Sequence, residues 1–71
     1  NVEIAVPVEN RPGVFAQVTT LMGSNDINIH DLYVRHSDTE HAALVLTLDA
    51  EALQLARELL REAGFGVETL G

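Results

Sequence analysis

The spacing of apolar residues changes at one short polar corner of this chain, residues 9–13, which read Glu-Asn-Arg-Pro-Gly. Before the corner, a valine or isoleucine occupies every second position of residues 2–8, which predicts a half-buried β-strand. After it, apolar residues recur every three or four positions over residues 14–22, which predicts an amphipathic helix. The corner therefore carries the chain from a strand directly into a helix.

Two residues give this corner its expected shape. Pro12 suits the first helical position, because the N–H that proline lacks would have no acceptor there. Gly13 has no side chain and lets another molecule approach the backbone. We therefore expect any binding site to begin here.

The next strand is predicted to be irregular. Residues 23–26, Gly-Ser-Asn-Asp, predict the end of the first helix, and an extended run follows over residues 27–36. The apolar positions of this run shift from odd to even numbers partway along it. A β-bulge near His30 or Asp31 would restore one apolar face.

The second half of the chain repeats the same kinds of element. Residues 37–40 predict a turn, and the alternation that ends at Leu48 predicts a third strand that forms a hairpin with the second. Asp49 is expected to cap a second amphipathic helix, which ends at Gly64. Residues 65–70 leave room for one short final strand, with its apolar side chains inward.

The order β-α-β-β-α-β predicts an α+β, ferredoxin-like fold. In this fold a four-stranded antiparallel sheet, with strand order 4-1-3-2, has both helices on one face. The second strand is then an exposed edge, to which the second strand of a neighbouring copy can add.

Length and composition predict one domain, residues 1–71, that gains from a partner subunit. A chain this short buries only about 60 % of the surface that its unfolded form exposes. It has no cysteine, and 46 % of its residues are apolar, so we expect a homodimer. No initiator methionine precedes Asn1, and we expect the domain to come from the C-terminal part of a larger chain.

The net charge of −7 weighs against two classes of partner. Nucleic-acid backbones and anionic membrane surfaces would be repelled, and no apolar run approaches the roughly 20 residues of a membrane span. An RNA-recognition module also needs aromatic platforms, whereas the outer face of the third strand presents Ala43, Val45 and Thr47. We expect a cytoplasmic domain that binds neither nucleic acid nor membrane.

Metal binding and catalysis lack the residues that they require. His36 and His41 flank the predicted turn, but two imidazoles without a third ligand make a poor metal site. His30 and Asp31 are neighbours on a strand and normally point to opposite faces, with no nucleophile as companion. Small-molecule binding at the corner is the functional hypothesis that remains.

The corner also carries a family resemblance. Residues 9–14, the following Leu21-Met22-Gly23 and then Ile27-Asn28-Ile29 resemble the ACT domain, a regulatory module that binds amino acids. The resemblance covers essentially all 71 residues. Its most specific part is the polar residue before Arg-Pro-Gly, with Asn-Ile downstream.

The resemblance implies a homodimer through helix 1 and strand 2, with an amino-acid effector bound between subunits and no cofactor or catalysis in this domain. The implied effector contacts lie at the corner and at the start of strand 2: Asn10, Arg11, Pro12, Gly13, Val14, Asn28 and Ile29. Side-chain amides offer the donor and acceptor that an ammonium and carboxylate pair requires, and N–H groups at a helix N-terminus favour a carboxylate.

Simpler roles stay open for three of these residues. Asn10 could cap the first helix, Asn28 could bond to the edge of its strand, and Arg11 could be a solvated residue at the rim.

The residue before Glu9 bears on the effector. Phosphoglycerate dehydrogenase relatives carry a histidine there, whereas this chain has Val8, which argues against serine. Residues 28–34 and the third strand look closer to the C-terminal ACT domain of prephenate dehydrogenases, which implies an aromatic effector, tyrosine first. The implied parent enzyme is an NAD(P)-dependent prephenate dehydrogenase, with a phosphoglycerate dehydrogenase as the second choice. The alternative function is a dimerisation module that binds no ligand.

Overall fold

The predicted order of elements is confirmed by a computed structural model that describes all 71 residues. The chain forms β1 (Val2–Glu9), α1 (Val14–Ser24), β2 (Ile29–His36), β3 (His41–Leu48), α2 (Leu53–Glu62) and β4 (Glu68–Thr69). A short 3-10 turn, Ala50–Ala52, leads into α2. Neither helix has the length and apolar character needed to span a membrane.

The four strands form one antiparallel sheet in the order β2-β3-β1-β4, which is the predicted order read in reverse. The β1–β3 ladder runs over eight residue pairs, from Val2 opposite Leu48 to Glu9 opposite His41. β2 pairs only with β3, so its other side is a free edge over its whole length.

The core lies between one face of the sheet and the two helices. Alternate residues of β1 and β3 point to the same face, and α1 and α2 supply the opposite wall of the core. The fully buried side chains of this layer are Ile4, Val6, Val18, Met22, Leu44, Leu46, Leu48 and Leu60, each with 0 % exposure, and Ala56 is equally enclosed. No polar or charged residue is buried, so contacts between apolar side chains hold the helices against the sheet.

The face of the sheet that carries no helix has a small apolar centre. Ala5 and Val45 are directly opposite each other in the β1–β3 ladder, and each is only 1 % exposed. On the outer strands, Tyr33 of β2 is opposite Val45, and Glu68 of β4 is opposite Ala5. The four residues form one row across the sheet, with the longer side chains at its two ends. The outer face of β3, which presents Ala43, Val45 and Thr47, is thus buried at its middle residue, Val45.

The bulge in β2 is confirmed. The register with β3 shifts between Ile29 and Asp31, so that His30 is the extra residue. The shift brings Val34, like Ile29, against the core. β2 begins at Ile29, two residues later than predicted, because Ile27 is buried where its N–H bonds to the carbonyl of Met22, 3.0 Å away.

The predicted cap of α2 is wrong. Asp49 precedes the 3-10 turn, but its side chain accepts no hydrogen bond from that turn. The Asp49 carboxylate instead lies 2.8 Å from Nε2 of the bulged residue, His30. The final strand is also shorter than predicted, although Phe65 and Val67 do pack against the core.

A leucine truncation at the centre of this core tests the packing. Leu46→Ala removes a side chain with 0 % exposure and should lower the free energy of unfolding by about 2–5 kcal/mol, since a cavity remains. Leu55→Ala is the matched control, because Leu55 is 44 % exposed and should cost less than about 1 kcal/mol. Urea denaturation followed by circular dichroism measures both, and equal losses would contradict this core.

Candidate functional site

The corner between β1 and α1 takes its shape from Gly13. Its φ of 85° is left-handed, a conformation that costs other residues energy, and α1 begins after it, at Val14. The prediction that Pro12 occupies the first helical position is therefore wrong, because no helix continues through a left-handed residue. Both Pro12 and Gly13 lie in the exposed turn that precedes the helix.

Several backbone donors at this corner have no acceptor. The N–H groups of Gly13, Phe15 and Ala16 make no hydrogen bond within the chain, and no side chain caps the helix. The N–H of Val14 reaches the carbonyl of Arg11, but at 3.4 Å. The donors at Phe15 and Ala16 were missed from the sequence, although every helix leaves its first N–H groups unpaired.

These donors open on a shallow hollow of about 400 Å³. It is lined by the corner and the first turn of α1: Asn10, Arg11, Pro12, Gly13, Phe15 and Ala16. The side chain of Val14 is turned into the core and is 2 % exposed, so this residue contributes only its backbone to the surface. The hollow is open on one side and needs a further wall to enclose a ligand.

Asn10 is bound to the turn between β2 and β3 and does not cap α1. Its backbone N–H donates to the carbonyl of Glu40 over 2.7 Å, and its Nδ2 donates to the carbonyl of Thr39 over 3.3 Å. The side-chain oxygen, Oδ1, makes no hydrogen bond within the chain. Asn10 thus has a free acceptor, and it lines the same hollow as Gly13, Phe15 and Ala16, whose N–H groups are free.

Arg11 forms the exposed rim of the corner. Its Nε lies 3.4 Å from Oε2 of Glu9, and the two side chains are 59 % and 74 % exposed. An ion pair this exposed contributes little to stability, so Arg11 is free to turn towards a bound anion.

Asn28 and Ile29 lie at the other end of the sheet. Ile29 is opposite Leu48, which is opposite Val2, whereas Glu9 at the corner is opposite His41. The eight residues of β1 span about 25 Å between these ends. Asn28 is exposed and makes no hydrogen bond, and Ile29 packs against the core. One chain alone does not bring Asn28 to the corner.

The turn between β2 and β3 is organised by Asp38. Its Oδ1 accepts hydrogen bonds from the backbone N–H groups of Glu40 and His41, both over 2.8 Å, and lies 3.0 Å from Nδ1 of His41. These hydrogen bonds hold the pKa of the Asp38 carboxyl below its ordinary value. The bond from the Glu40 N–H has the largest effect, and the bonds from the N–H and the side chain of His41 come next.

The histidines considered for chemistry have other neighbours. His30 is beside Asp49, and His41 is beside Asp38. His36 is opposite Ala42 in the ladder and is therefore not directly opposite His41. Oδ1 of Asp31 accepts from the N–H of Leu32, 2.9 Å away, and is not paired with His30. No group of three His, Cys, Asp or Glu side chains lies close enough to hold a metal ion.

Comparison with protein families gives a match that covers most of the chain. The model of the family described as ACT domain matches residues 2–65, which include the corner, Asn28 and Ile29. No curated protein sequence matches the chain significantly.

Solved structures show the same fold at low sequence identity. The ACT domain of prephenate dehydrogenase from Bacillus anthracis is 20 % identical, with a TM-score of 0.84 over 93 % of this chain and 99 % of that one. The ligand-free regulatory subunit of aspartate kinase from Thermus thermophilus is 16 % identical, with a TM-score of 0.85 over 99 % of this chain and 50 % of that one. A protein from Bacteroides thetaiotaomicron is 20 % identical, with a TM-score of 0.82, and there this chain covers 46 % of the other.

Two glycine substitutions test the backbone of the corner. An added Cβ would meet no atom within 4 Å at Gly13 or at Gly23, so only the backbone conformation distinguishes them. Gly13→Ala should lower the free energy of unfolding by about 1–2 kcal/mol, because its φ is left-handed. Gly23→Ala, within α1, should raise it by about 0.5–1 kcal/mol. Thermal and urea unfolding measure both, and a change of the same sign would contradict the left-handed turn.

Proposed function

This chain belongs to the ACT domain family, and we propose that it is a regulatory domain that binds a free amino acid between two subunits and thereby changes the activity of an attached enzyme. One observation carries the proposal. The corner has free donors and acceptors on an open hollow, while Asn28 lies at the opposite end of the sheet. The two halves of the site come together only when two chains combine.

The free edge of β2 supplies the geometry for this combination. If β2 pairs with β2 of a second copy about a two-fold axis, the strands run antiparallel and the start of one lies beside the end of the other. The end of β2 leads into the turn to which Asn10 is bound. Asn28 of the second chain then approaches the corner of the first, and the arrangement repeats on the other side of the axis.

The side chains along this edge favour association. Leu32 is opposite the buried Leu46, so it points to the helix side of the sheet, yet it is 41 % exposed. Its neighbour Tyr33 points to the other face and is 46 % exposed. An edge strand with large apolar side chains on both faces is a surface that a second chain can cover.

The polar groups of the combined site match an amino acid. The unpaired N–H groups of Gly13, Phe15 and Ala16, at the positive end of α1, suit a carboxylate. Oδ1 of Asn10 is an acceptor for an ammonium group, and the amide of Asn28 offers both a donor and an acceptor. Arg11 adds a positive charge at the rim.

For the effector we propose an aromatic amino acid, with tyrosine first and serine second. Val8, which is 7 % exposed, occupies the position where the serine-binding pattern has a histidine, so that polar contact is lost. As the parent we propose a prephenate dehydrogenase, with phosphoglycerate dehydrogenase second; the ACT domain of a prephenate dehydrogenase is among the structures that share this fold. This chain covers only 46 % and 50 % of the length of two of the proteins that share its fold. The identity of the attached enzyme is therefore a proposal.

Regulation needs a ligand that contacts two subunit arrangements differently. An allosteric coupling of this kind typically amounts to about 1–3 kcal/mol. A site whose two halves belong to different chains meets the requirement, because the ligand stabilises only the arrangement in which both halves are in place.

Mixing two variants tests whether the site is shared. Asn10→Ala and Asn28→Ala should each weaken amino-acid binding at least about tenfold, as each removes a hydrogen bond to a charged group. When the two variants are mixed, every mixed dimer has one site with both substitutions and one with neither. Calorimetry on the mixture should therefore detect amino-acid binding with wild-type affinity at the unsubstituted site of each mixed dimer.

Asn25→Ala is the matched control, because Asn25 also donates one side-chain bond to a backbone carbonyl but lies at the end of α1. It should leave the affinity unchanged. Failure of the mixture to recover any binding would contradict a site shared between chains. If no amino acid binds the wild-type chain, the ligand-free dimerisation module is the correct alternative.

A charge placed on the edge tests the interface. Leu32→Glu should shift the dimer towards monomer, because a carboxylate from each chain would be forced towards the same buried surface. Leu55→Glu, on α2, is the control with a comparable exposure of 44 % and should leave the mass unchanged. Sedimentation measures both. Dissociation by Leu55→Glu alone would locate the interface on α2 instead.

A further inference from the structure

We infer that Asp38 is a positioning residue of the amino-acid site: it fixes the β2–β3 turn in the shape that orients Asn10, and so determines that Asn10 offers its oxygen to the ligand. The inference rests on the proposed function, since it assigns a role within the same site. It concerns a residue that does not itself line the hollow at the corner.

The carboxylate of Asp38 occupies the inside of the turn. Its Oδ1 accepts hydrogen bonds from the backbone N–H groups of Glu40 and His41, both over 2.8 Å. Nδ1 of the His41 ring lies 3.0 Å from Oδ1 and 3.2 Å from Oδ2. Because the N–H of residue 40 is turned inwards, the plane of the Thr39–Glu40 peptide is fixed. The carbonyl of Thr39 belongs to that same peptide and is fixed with it.

The carbonyls of the turn are what Asn10 binds. Asn10 donates its backbone N–H to the carbonyl of Glu40 and its Nδ2 to the carbonyl of Thr39. An asparagine amide has a donor end and an acceptor end, and here the donor end is committed to the turn. Oδ1 is left as the free end, so the corner offers an acceptor where an ammonium group would bind.

Packing does not hold this turn. All four of its residues, 37–40, are exposed, and none of them belongs to the core. The backbone bonds across it, from Ser37 and Asp38 to the carbonyl of His41, measure 3.1 and 3.4 Å. The 2.8 Å bonds to the Asp38 carboxylate are therefore the shortest bonds within the turn, and without them the peptide between Thr39 and Glu40 is held only by the 3.3 Å bond from Nδ2 of Asn10 to the carbonyl of Thr39.

Three variants of the 71-residue chain test this role. Asp38→Ala removes the acceptor. Asp38→Asn keeps an acceptor oxygen in the same place and should restore the turn. Glu40→Ala is the matched control, because it removes a negative charge from the same turn but leaves the N–H and carbonyl that the turn and Asn10 use.

Two measurements are made on each variant. Hydrogen exchange of the Asn10 backbone N–H, followed by NMR, reports on the bond to Glu40 without any ligand. Calorimetry with the amino acid that binds the wild type best reports on the site. For Asp38→Ala we expect exchange about threefold to tenfold faster and binding about threefold to tenfold weaker, with core amides of α1 unchanged. Asp38→Asn and Glu40→Ala should stay close to the wild type in both.

The outcomes separate this inference from the proposed function. Unchanged exchange in Asp38→Ala, or faster exchange with unchanged binding, would overturn the inference while the amino-acid site stands. Loss of binding in Glu40→Ala equal to that in Asp38→Ala would assign the effect to charge and would also overturn it. If no amino acid binds the wild type, the proposed function fails. Hydrogen exchange of the Asn10 backbone N–H then decides by itself whether Asp38 orients Asn10.

Discussion

The eight-residue ladder between β1 and β3 is the constraint on which the rest of the structure depends. It aligns the apolar residues of both strands on one face, where α1 and α2 close the core. It also determines which parts of the chain meet at each end. The corner after Glu9 comes to the turn that precedes His41, and the start of β1 comes to the start of β2.

This alignment explains how polar residues are distributed in a domain that buries none of them. At one end of the sheet, Asn10 is bound to the turn that Asp38 organises. At the other end, His30 of the bulge is bound to Asp49. Both ends are thus organised by hydrogen bonds on the surface, while the hydrophobic core between them sets their separation. The family and the fold are established, and the sharing of a ligand between the two ends is our proposal.

The sequence predicted those features that depend on local periodicity. Alternating and helical spacings gave the order of elements, the sheet and even the bulge, because a shift of apolar parity has few structural remedies. It failed where distant residues compete for the same group. Asp49 has the chemistry of a helix cap, but the bulge brings His30 to it from 19 residues away. A capping role was likewise open for Asn10, whereas its partner Thr39 lies 29 residues further along the chain. The helix start was misplaced because a left-handed φ at Gly13 is permitted, not required, by glycine.

The free edge of β2 has a consequence for how such a domain would respond to dilution. On the proposed arrangement, assembly of two chains completes the binding site, so effector binding and association are linked by mass action. The apparent affinity would then fall as the isolated domain is diluted below its dimer dissociation constant. In a parent protein whose other domains hold two copies together, the local concentration is set by the tether, and the sensitivity to effector becomes independent of the amount of enzyme in the cell.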